Sequence, residues 1–380
     1  MEKLISGRNY IMERKYKWII KPILFKFDPE NVHDNMGVVG RWLGKHFLTR
    51  KLASLFWNYS NPALEQNILG INFKNPTGLS AGFDKNAELT EIISSISFGF
   101  MEVGSITGEA CVGNPKPRLW RLKKSRSLAV NYGLMNDGAE AIAERLGKKL
   151  EVKKFDIPVG ISIAKTNCKD TVDTEKAIFD YFKAYRAFID IGDYFTINIS
   201  CPNAFGGQPF TDSTKLYLLL SKIMSVPKTK PIFIKLSPDL KQKEINEILD
   251  IAAKWNVDGF ICTNLTKNRN KKQNKNIIDE SVPELGGLSG KAVEDLSLEL
   301  IRYIYKKTGG KASKFVIIGC GGVFSAEDAY KKIKAGASLI QLITGMIFEG
   351  PQLISEINLG LVKLLKADGY KNISEAIGKE

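Results

Sequence analysis

The sequence predicts an α/β fold, namely a (β/α)8 TIM barrel with a short helical N-terminal extension. Three observations predict it. From about Asn75 onward, eight short apolar runs alternate with amphipathic helical stretches. Small and polar residues follow these runs, as they do at the mouth of a barrel enzyme. The 380 residues also suffice for such a barrel, which commonly exceeds ~250 residues as one domain, together with a short appendage.

The eight runs have the nearly continuous apolar character of strands that are covered on both faces. Helices between such strands make them parallel, and eight strand and helix units close into a barrel. In chain order the predicted strands are Gly78–Ala81, Met101–Gly104, Val159–Ile163, Phe195–Ile199, Ile232–Leu236, Phe260–Thr263, Phe315–Gly319 and Leu339–Ile343.

Periodicity predicts the helices between the strands. The stretch Glu175–Ile191 places four apolar residues on one face, which we expect to pack on the barrel: Ile178, Phe182, Tyr185 and Ile189. Between the sixth strand and its helix, Lys267–Glu284 is rich in Lys and Asn. It looks too hydrophilic for the core and is predicted to be a mobile lid loop.

Residues 1–69 form the predicted extension, and residues 70–380 form the predicted barrel domain. Lys15–Phe27 is basic and apolar at once, and Val38–Phe56 has apolar residues at helical spacing. Such helices suit the headgroup region of a membrane. The alternative is that the extension only caps the bottom of the barrel. No apolar run reaches the ~18 residues of a spanning helix, so membrane contact would be peripheral.

Composition narrows the partners. The net charge of +14 suits nucleic acid, an anionic membrane surface or an anionic small molecule. No arginine-rich block with interleaved aromatic residues occurs, so we expect no nucleic-acid partner. The five cysteines lie far apart without a C-x-x-C pair or a histidine at ligand spacing. We therefore expect no metal site and a reducing cytoplasm, with contact only at the inner face of a membrane.

Polar residues gather at the predicted strand ends, where barrel enzymes have their active sites. The fourth strand is followed by Cys201 and Asn203, and the fifth carries Lys235. Glycines after the last two strands expose backbone N–H groups that can bind phosphate. A phosphate site, a lysine and several amides together suit flavin mononucleotide (FMN). Lys235 near the flavin ring would stabilise the negative charge that develops when the ring accepts a hydride.

Six segments at or near these strand ends contain short motifs that occur in a characteristic order along the chain. They are Asn75–Asn86, Gly113–Leu119, Asn198–Asn203, Lys235–Leu240, Gly286–Gly290 and Gly319–Val323. They resemble the motifs of the dihydroorotate dehydrogenase family, and the resemblance extends from about Gly70 to Gly378. Leu24–Glu30 also resembles the segment before the barrel in the quinone-using, membrane-associated class of that family.

The resemblance implies FMN-dependent oxidation of dihydroorotate to orotate, a reaction of pyrimidine biosynthesis. The implied FMN-binding residues are Ala81, Gly82, Phe83, Asp84, Lys85, Ser105, Ser162, Asn198, Lys235, Thr263, Gly290, Gly322, Ile343 and Thr344. Amides and one cation would bind the substrate, with the cation opposing its carboxylate: Lys85, Asn131, Asn198, Asn203 and Asn264.

In the family mechanism a base removes a proton from C5 of dihydroorotate while a hydride passes from C6 to flavin N5. The motif implies that this base is Cys201. A thiol with a pKa of about 8.5 can accept a proton near neutral pH where its surroundings, such as a nearby lysine, favour the thiolate. The alternative for an isolated cysteine is a buried, inert side chain.

Several positions depart from the family pattern. The membrane-associated class generally has serine where Cys201 stands, and cysteine is typical of the soluble class. Because the chain combines the extension of one class with the base of the other, two electron acceptors are alternatives: a quinone reached beside the N-terminal helices, or a soluble oxidant such as fumarate. Asn131 lies one residue closer to its glycine than in the family, Leu265 replaces a common threonine, and Ser162 replaces an FMN-binding asparagine. A related cyclic substrate is therefore an alternative.

Two further functions compete with this interpretation. A tRNA dihydrouridine synthase is also an FMN barrel with a catalytic cysteine, and the charge of +14 would suit RNA. Against it, Cys201 is followed by Pro202 and Asn203 as in the dehydrogenase motif. The second rival is a barrel that binds flavin or a membrane without turnover. The lysine, the candidate base and the asparagines argue against that rival.

Overall fold

The computed structural model describes residues 2–380, which contain thirteen strands. In chain order they are β1 (Gln66–Ile68), β2 (Ile71–Phe73), β3 (Thr77–Leu79), β4 (Phe100–Ile106), β5 (Leu119–Leu122), β6 (Ser127–Val130), β7 (Val159–Ile163), β8 (Tyr194–Asn198), β9 (Ile232–Leu236), β10 (Gly259–Cys262), β11 (Gly287–Gly290), β12 (Val316–Cys320) and β13 (Leu339–Leu342).

Eight of these strands close into a parallel barrel in the order β3, β4, β7, β8, β9, β10, β12, β13. Each overlaps one of the eight predicted runs, so the predicted (β/α)8 barrel is confirmed. All residues of β7, β8 and β9 are buried, as expected for strands with a filled interior on one face and helices on the other.

The helices are α1 (Glu2–Lys15), α2 (Lys21–Leu24), α3 (Pro29–Lys45), α4 (Phe47–Trp57), α5 (Thr90–Ile93), α6 (Ala139–Val152), α7 (Thr174–Ala187), α8 (Ser213–Ile223), α9 (Gln242–Lys254), α10 (Glu294–Lys307), α11 (Ala326–Lys334), α12 (Thr344–Glu349) and α13 (Leu353–Ala367). A π-helical turn, Tyr16–Ile20, joins α1 to α2. On α7, Ile178 and Tyr185 are buried in the core, which confirms the predicted inner face.

The bottom of the barrel is closed by the antiparallel hairpin of β1 and β2 rather than by the helical extension. Phe73 from this hairpin joins Phe100, Tyr194 and Phe233, which lie near the amino ends of their strands. Helix α3 instead contacts α5 and β5, at the opposite end. Helix α3 therefore flanks the mouth, and the alternative that the extension only caps the bottom is wrong for this helix.

Specific polar contacts attach the start of the extension to the barrel. Asn9 is 2% exposed and donates from Nδ2 to Ser355 Oγ on α13 at 3.0 Å. The Tyr16 hydroxyl donates to the carbonyl of Ile347 in α12 at 2.6 Å. Lys17 forms an ion pair with Glu349, the last residue of α12, at 2.6 Å. Helix α12 thus carries the main contacts of the π-helical turn.

The segment Lys267–Glu284 is tied to a small three-stranded sheet of β5, β6 and β11. Ile277 is 2% exposed and packs with Leu288 in a separate apolar cluster. Asn274 is also buried, and its Nδ2 donates to the carbonyl of Ala292 at 2.6 Å. The prediction that this segment is too hydrophilic to pack is therefore wrong at Ile277.

None of the helices in residues 2–380 has both the length and the apolar content needed to cross a bilayer. Within the same residues, no cluster of three or more His, Cys, Asp or Glu side chains is arranged to hold a metal ion.

Candidate active site

A cavity of about 660 Å³ lies at the carboxyl ends of the barrel strands and continues between the helices of the extension. This volume is in the range of small-molecule and cofactor sites. Most of the residues predicted from sequence line it: Ala81, Gly82, Phe83, Lys85, Ser105, Asn198, Cys201, Asn203, Lys235, Thr263, Asn264, Gly290, Gly322, Ile343 and Thr344.

Three predicted site residues do not line the cavity. Asp84 is 3% exposed, and its carboxylate accepts from the backbone N–H groups of Glu88 and Leu89. Ser162 is fully buried and shares a hydrogen bond with Ser105 at 2.8 Å. The Asn131 side chain accepts from Asn114 Nδ2 at 3.1 Å. Direct cofactor or substrate contact is thus not supported for these three, which instead hold the residues around the site.

Strand register places a lysine beside an asparagine at the barrel mouth. Asn198, the last residue of β8, pairs with Lys235 of β9. Asn198 Nδ2 donates to Ser105 Oγ at 2.8 Å, and Asn198 Oδ1 accepts from the Ser200 hydroxyl at 3.1 Å and from Asn264 Nδ2 at 3.2 Å. This network fixes the amides of Asn198 and Asn264 from two different strand ends.

Lys235 is 4% exposed, and its ammonium donates to the Ser80 hydroxyl at 3.2 Å. A hydroxyl is a neutral partner, and a buried cation is costly without an anionic one. The Lys235 side chain lines the cavity, so an anionic or electron-rich group bound there would supply the missing charge.

The loops after β12 and β13 form a cradle for an anion. The hydrogen bonds of residues 2–380 include no protein acceptor for the backbone N–H groups of Gly321, Gly322, Thr344 and Gly345. Gly322 has φ +73°, and a Cβ there would come within 2.4 Å of the Cβ of Glu294. A side chain is therefore excluded at the point where backbone donors meet the cavity, as in phosphate sites.

These features fit FMN. The cradle suits its phosphate, Lys235 suits the edge of the ring that becomes negative on reduction, and Ser105 and Asn198 offer polar contacts beside it. Gly82 has φ +104°, and a Cβ there would meet only Ile343 Cδ1, at 4.0 Å, so the cavity wall is open at this position.

Cys201 lies on the loop after β8 and faces the cavity. Burial raises the pKa of its thiol above the ordinary value, and the Asn203 backbone N–H and the charges of Lys165 and Lys267 only partly oppose this effect. Desolvation thus outweighs the nearby lysines at this thiol, and the role of Cys201 as the base stays a prediction.

Lys85 stands between the barrel and the extension. Its ammonium lies 4.0 Å from the centroid of the Tyr132 ring and 3.4 Å from His33 Nε2. Burial lowers the pKa of Lys85 to about 8. Burial, followed by the charge of Lys85, lowers the pKa of His33 to about 3, so this imidazole is neutral and can accept from the lysine.

Helix α3 covers one side of the cavity and begins where the sequence provides a cap. The Asp28 side chain accepts from the Asn31 backbone N–H at 3.0 Å, and Pro29 occupies the first turn. Glu30 of this turn forms an ion pair with Arg118 at 2.8 Å. The inner side of α3 then lines the cavity with Val32, His33, Met36, Val39, Gly40 and Leu43.

Sequence reasoning missed His33, Tyr132 and Lys165. Tyr132 lines the cavity with a buried hydroxyl that has no hydrogen-bond partner among the described residues. Only Lys165 left a local signal, because it follows the third barrel strand closely and could have been inspected with the other strand ends.

The family model described as "Dihydroorotate dehydrogenase" matches residues 63–365. The chain belongs to the dihydroorotate dehydrogenase family. It is 40% identical over 375 residues to a Nostoc punctiforme protein named dihydroorotate dehydrogenase (quinone), covering 96% of this chain and 98% of the relative. A Natronomonas pharaonis protein of the same name is 36% identical over 360 residues, covering 95% and 98% of the two chains.

Solved structures agree with this dihydroorotate dehydrogenase assignment. The crystal structure of the Eimeria tenella DHODH in complex with ferulenol superposes with a TM-score of 0.80 at 32% identity, covering 93% of this chain and 95% of that one. The predicted family, its FMN-dependent oxidoreductase class and the barrel are confirmed.

Proposed function

We propose that this protein oxidises dihydroorotate to orotate at the barrel mouth and passes the electrons to a quinone that enters between the N-terminal helices. One observation carries the proposal: a single cavity joins Cys201 and Lys85 to the apolar inner side of α3. The relatives named for the quinone reaction match over nearly their whole length, which supports the same acceptor here.

At the substrate end, the ammonium of Lys85 opposes the carboxylate of dihydroorotate, and the amides of Asn198, Asn203 and Asn264 pair with the polar edges of its ring. Cys201, between Asn198 and Asn203 in sequence, removes the proton from the ring carbon. When bound, FMN supplies the acceptance of a hydride and the later release of both electrons to the second substrate. Lys235, buried with a neutral partner, stabilises the charge that develops at the ring edge.

At the other end, the cavity wall is formed mainly by apolar side chains of α3, together with Ile20 and Leu24, which suits a quinone with an isoprenoid tail. Two polar side chains, His33 and Arg121, also line this part. Arg121 donates to the carbonyl of Phe27 at 2.8 Å, which positions it beside the start of α3. These two groups are placed to orient the quinone carbonyls.

Added bulk in the part of the cavity that α3 lines should impair the reaction with quinone without slowing the reduction of the flavin. Val32 lines the cavity on α3, so Val32→Trp should raise the KM for a long-tailed quinone by about tenfold, since it adds bulk where the tail passes. Val38 of the same helix is 52% exposed and does not line the cavity, so Val38→Trp is the matched control. Steady-state assays with quinone and stopped-flow flavin reduction test both variants. Equal KM values in the two variants would place the quinone elsewhere.

The extension also presents an apolar surface to solvent. Its large exposed side chains include Leu4, Trp18, Trp42, Phe47 and Leu48, each at least 57% exposed. Exposed large apolar side chains on helices rich in Lys and Arg are typical of interfacial membrane binding. We therefore propose peripheral attachment to an anionic bilayer, which would bring the quinone passage to the membrane.

Charges on this surface should abolish the attachment. The double variant Trp18→Glu, Trp42→Glu should bind vesicles of phosphatidylglycerol and phosphatidylcholine at least about tenfold more weakly, because two exposed aromatic side chains that would enter the bilayer interface are replaced by anions. Phe179→Glu, Leu218→Glu on α7 and α8 is the control, since these residues are also exposed but lie outside the extension. Vesicle co-sedimentation measures both, and equal retention would reject the membrane surface.

The reaction should depend on pH in a defined direction. Burial raises the pKa of Cys201, so the reactive thiolate is scarce at neutral pH and increases as the solution becomes more alkaline. The rate of flavin reduction should rise with it. Dihydroorotate must be saturating at each pH, because Lys85, with its pKa lowered to about 8, loses its charge in alkaline solution. A rate that is constant from pH 6 to pH 9 would contradict a thiolate base.

Anaerobic mixing with dihydroorotate tests the proposed function directly. The flavin absorbance of the purified protein should bleach, and added quinone should restore it faster than fumarate does. Recovery with fumarate alone would assign a soluble acceptor. A purified protein that binds FMN but is not bleached by dihydroorotate would overturn the proposed substrate.

A further inference from the structure

Cys201 lies between two cavities. Besides the large one, a chamber of about 10 Å³ lies behind the thiol, and Leu134, Asn198 and Cys201 line both. Its volume is near the minimum that holds a single water molecule. Lys165 and Tyr181 line the chamber only. The thiol therefore has a substrate side and a rear side, and a lysine is on the rear side.

Lys165 is a buried cation without an anionic hydrogen-bond partner. It is 3% exposed, and its ammonium donates to the carbonyl of Phe205 at 2.7 Å and to Thr171 Oγ1 at 3.3 Å. Both acceptors are neutral, and no ion pair joins Lys165 to a carboxylate in residues 2–380. Burial lowers its pKa, and the nearby Cys168, Cys201 and Asp180 oppose that change.

The other ionisable groups around the chamber are already engaged. The Asp180 carboxylate accepts from the Thr166 N–H at 2.6 Å and the Thr166 hydroxyl at 2.7 Å. The Tyr181 hydroxyl donates to the carbonyl of Asn198 at 2.8 Å. Cys168, which is half-buried, donates to Thr171 Oγ1 at 3.8 Å. The Cys201 sulfur, by contrast, has the Asn203 backbone N–H as its donor and forms no ion pair with a cation in residues 2–380.

Two further groups act on Cys201 from other elements. Lys267, at the start of the polar segment after β10, favours the thiolate, and Cys111 opposes it. Lys267 is exposed, so solvent and salt screen its charge, whereas Lys165 is 3% exposed and its charge is screened much less. Lys165 is therefore the stronger of the two cations at the thiol.

We propose that Lys165 is a positioning residue for the base, and that its ammonium stabilises the thiolate of Cys201 across the rear chamber. The inference rests on the proposed function. The thiolate takes the proton from the substrate carbon and becomes a thiol, and it returns that proton to solvent before the next turnover. Lys165 stays protonated throughout, so it is a fixed charge and not a proton carrier.

Alkylation of Cys201 tests this without any turnover. Iodoacetamide is added to the FMN-loaded enzyme over a range of pH, and the Cys201 peptide is quantified by mass spectrometry. In Lys165→Met the midpoint of alkylation should move upward by about one pH unit or more, as expected for loss of a nearby opposite charge. Lys165→Arg keeps the charge and should shift it much less. An unchanged midpoint in Lys165→Met overturns the inference.

Flavin reduction supplies the second measurement. At pH 7.5, the flavin of Lys165→Met should be reduced by dihydroorotate about tenfold more slowly than that of the wild type. The rate of reduction should return towards the wild-type value at high pH, and the rate of reoxidation by quinone should be unchanged. In a Cys201→Ala background, Lys165→Met should cause no further slowing. A loss that is equal at all pH values would indicate a structural role instead and reject the inference. If the wild type is not bleached at all, the proposed function fails, yet the alkylation result still decides the role of Lys165.

Discussion

Replacement of Cys201 by alanine should slow the reduction of the flavin by dihydroorotate about 10²–10⁴-fold at neutral pH, the usual contribution of a general base. FMN should stay bound, because Cys201 borders the substrate side of the cavity and the predicted cofactor contacts come from other residues. Stopped-flow absorbance under anaerobic conditions measures the rate, and the spectrum of the purified variant reports the cofactor.

Two variants control for this result. Cys201→Ser keeps a small hydroxylic side chain and should retain part of the rate, with a pH dependence unlike that of the thiol. Cys262 is buried and does not line the cavity, so Cys262→Ala tests the loss of a core sulfur without loss of the base. Wild-type reduction kinetics in Cys201→Ala would remove the thiol from the mechanism.

The second large effect is expected at Lys235. Lys235→Met keeps much of the side-chain volume but removes a buried charge whose protein partner is only the Ser80 hydroxyl. We expect flavin reduction to fall by about 10²–10³-fold, as when one preorganised electrostatic group is removed from a site of developing charge. The reduction potential of the bound flavin should fall as well, because its reduced, anionic form loses a cation.

Lys149→Met is the matched control for Lys235→Met. Lys149 is also partly buried and donates to the carbonyl of Ala87 and to the Thr90 hydroxyl, but it does not line the cavity. It should affect stability without changing the potential. A Lys235→Met enzyme with a wild-type potential and a normal rate of flavin reduction would contradict the role given to this lysine.

The barrel could be predicted because its signal is local. Each strand is a short apolar run, and the face of α7 that contains Ile178 and Tyr185 repeats with helical spacing. The sheet of β5, β6 and β11 was not predicted, since β11 pairs with a strand more than 150 residues earlier in the chain. Ile277 is buried because it packs against that sheet, and the polar residues around it in the sequence do not indicate this burial.

The site was predictable to the extent that it consists of strand ends. Asn198 and Lys235 emerge side by side because neighbouring strands share a register. Asn131 does not line the cavity, and its side chain accepts from Asn114, a contact between separate loops that the sequence does not reveal. His33 and Tyr132 come together only when the extension folds over the mouth, and the desolvation that dominates the thiol pKa depends on the complete packing.

The six residues of α12 contact both the phosphate cradle of the barrel and the N-terminal extension. Thr344 starts the helix at the phosphate cradle, and its last turn receives Tyr16 and Lys17 from the extension. Thermodynamic linkage is reciprocal, so the free energy by which a bound cofactor orders this helix also favours docking of the amino-terminal segment. We expect that loading with the prosthetic group and stable seating of the surface that would meet the lipid strengthen each other, so that enzyme without the group is also more weakly anchored.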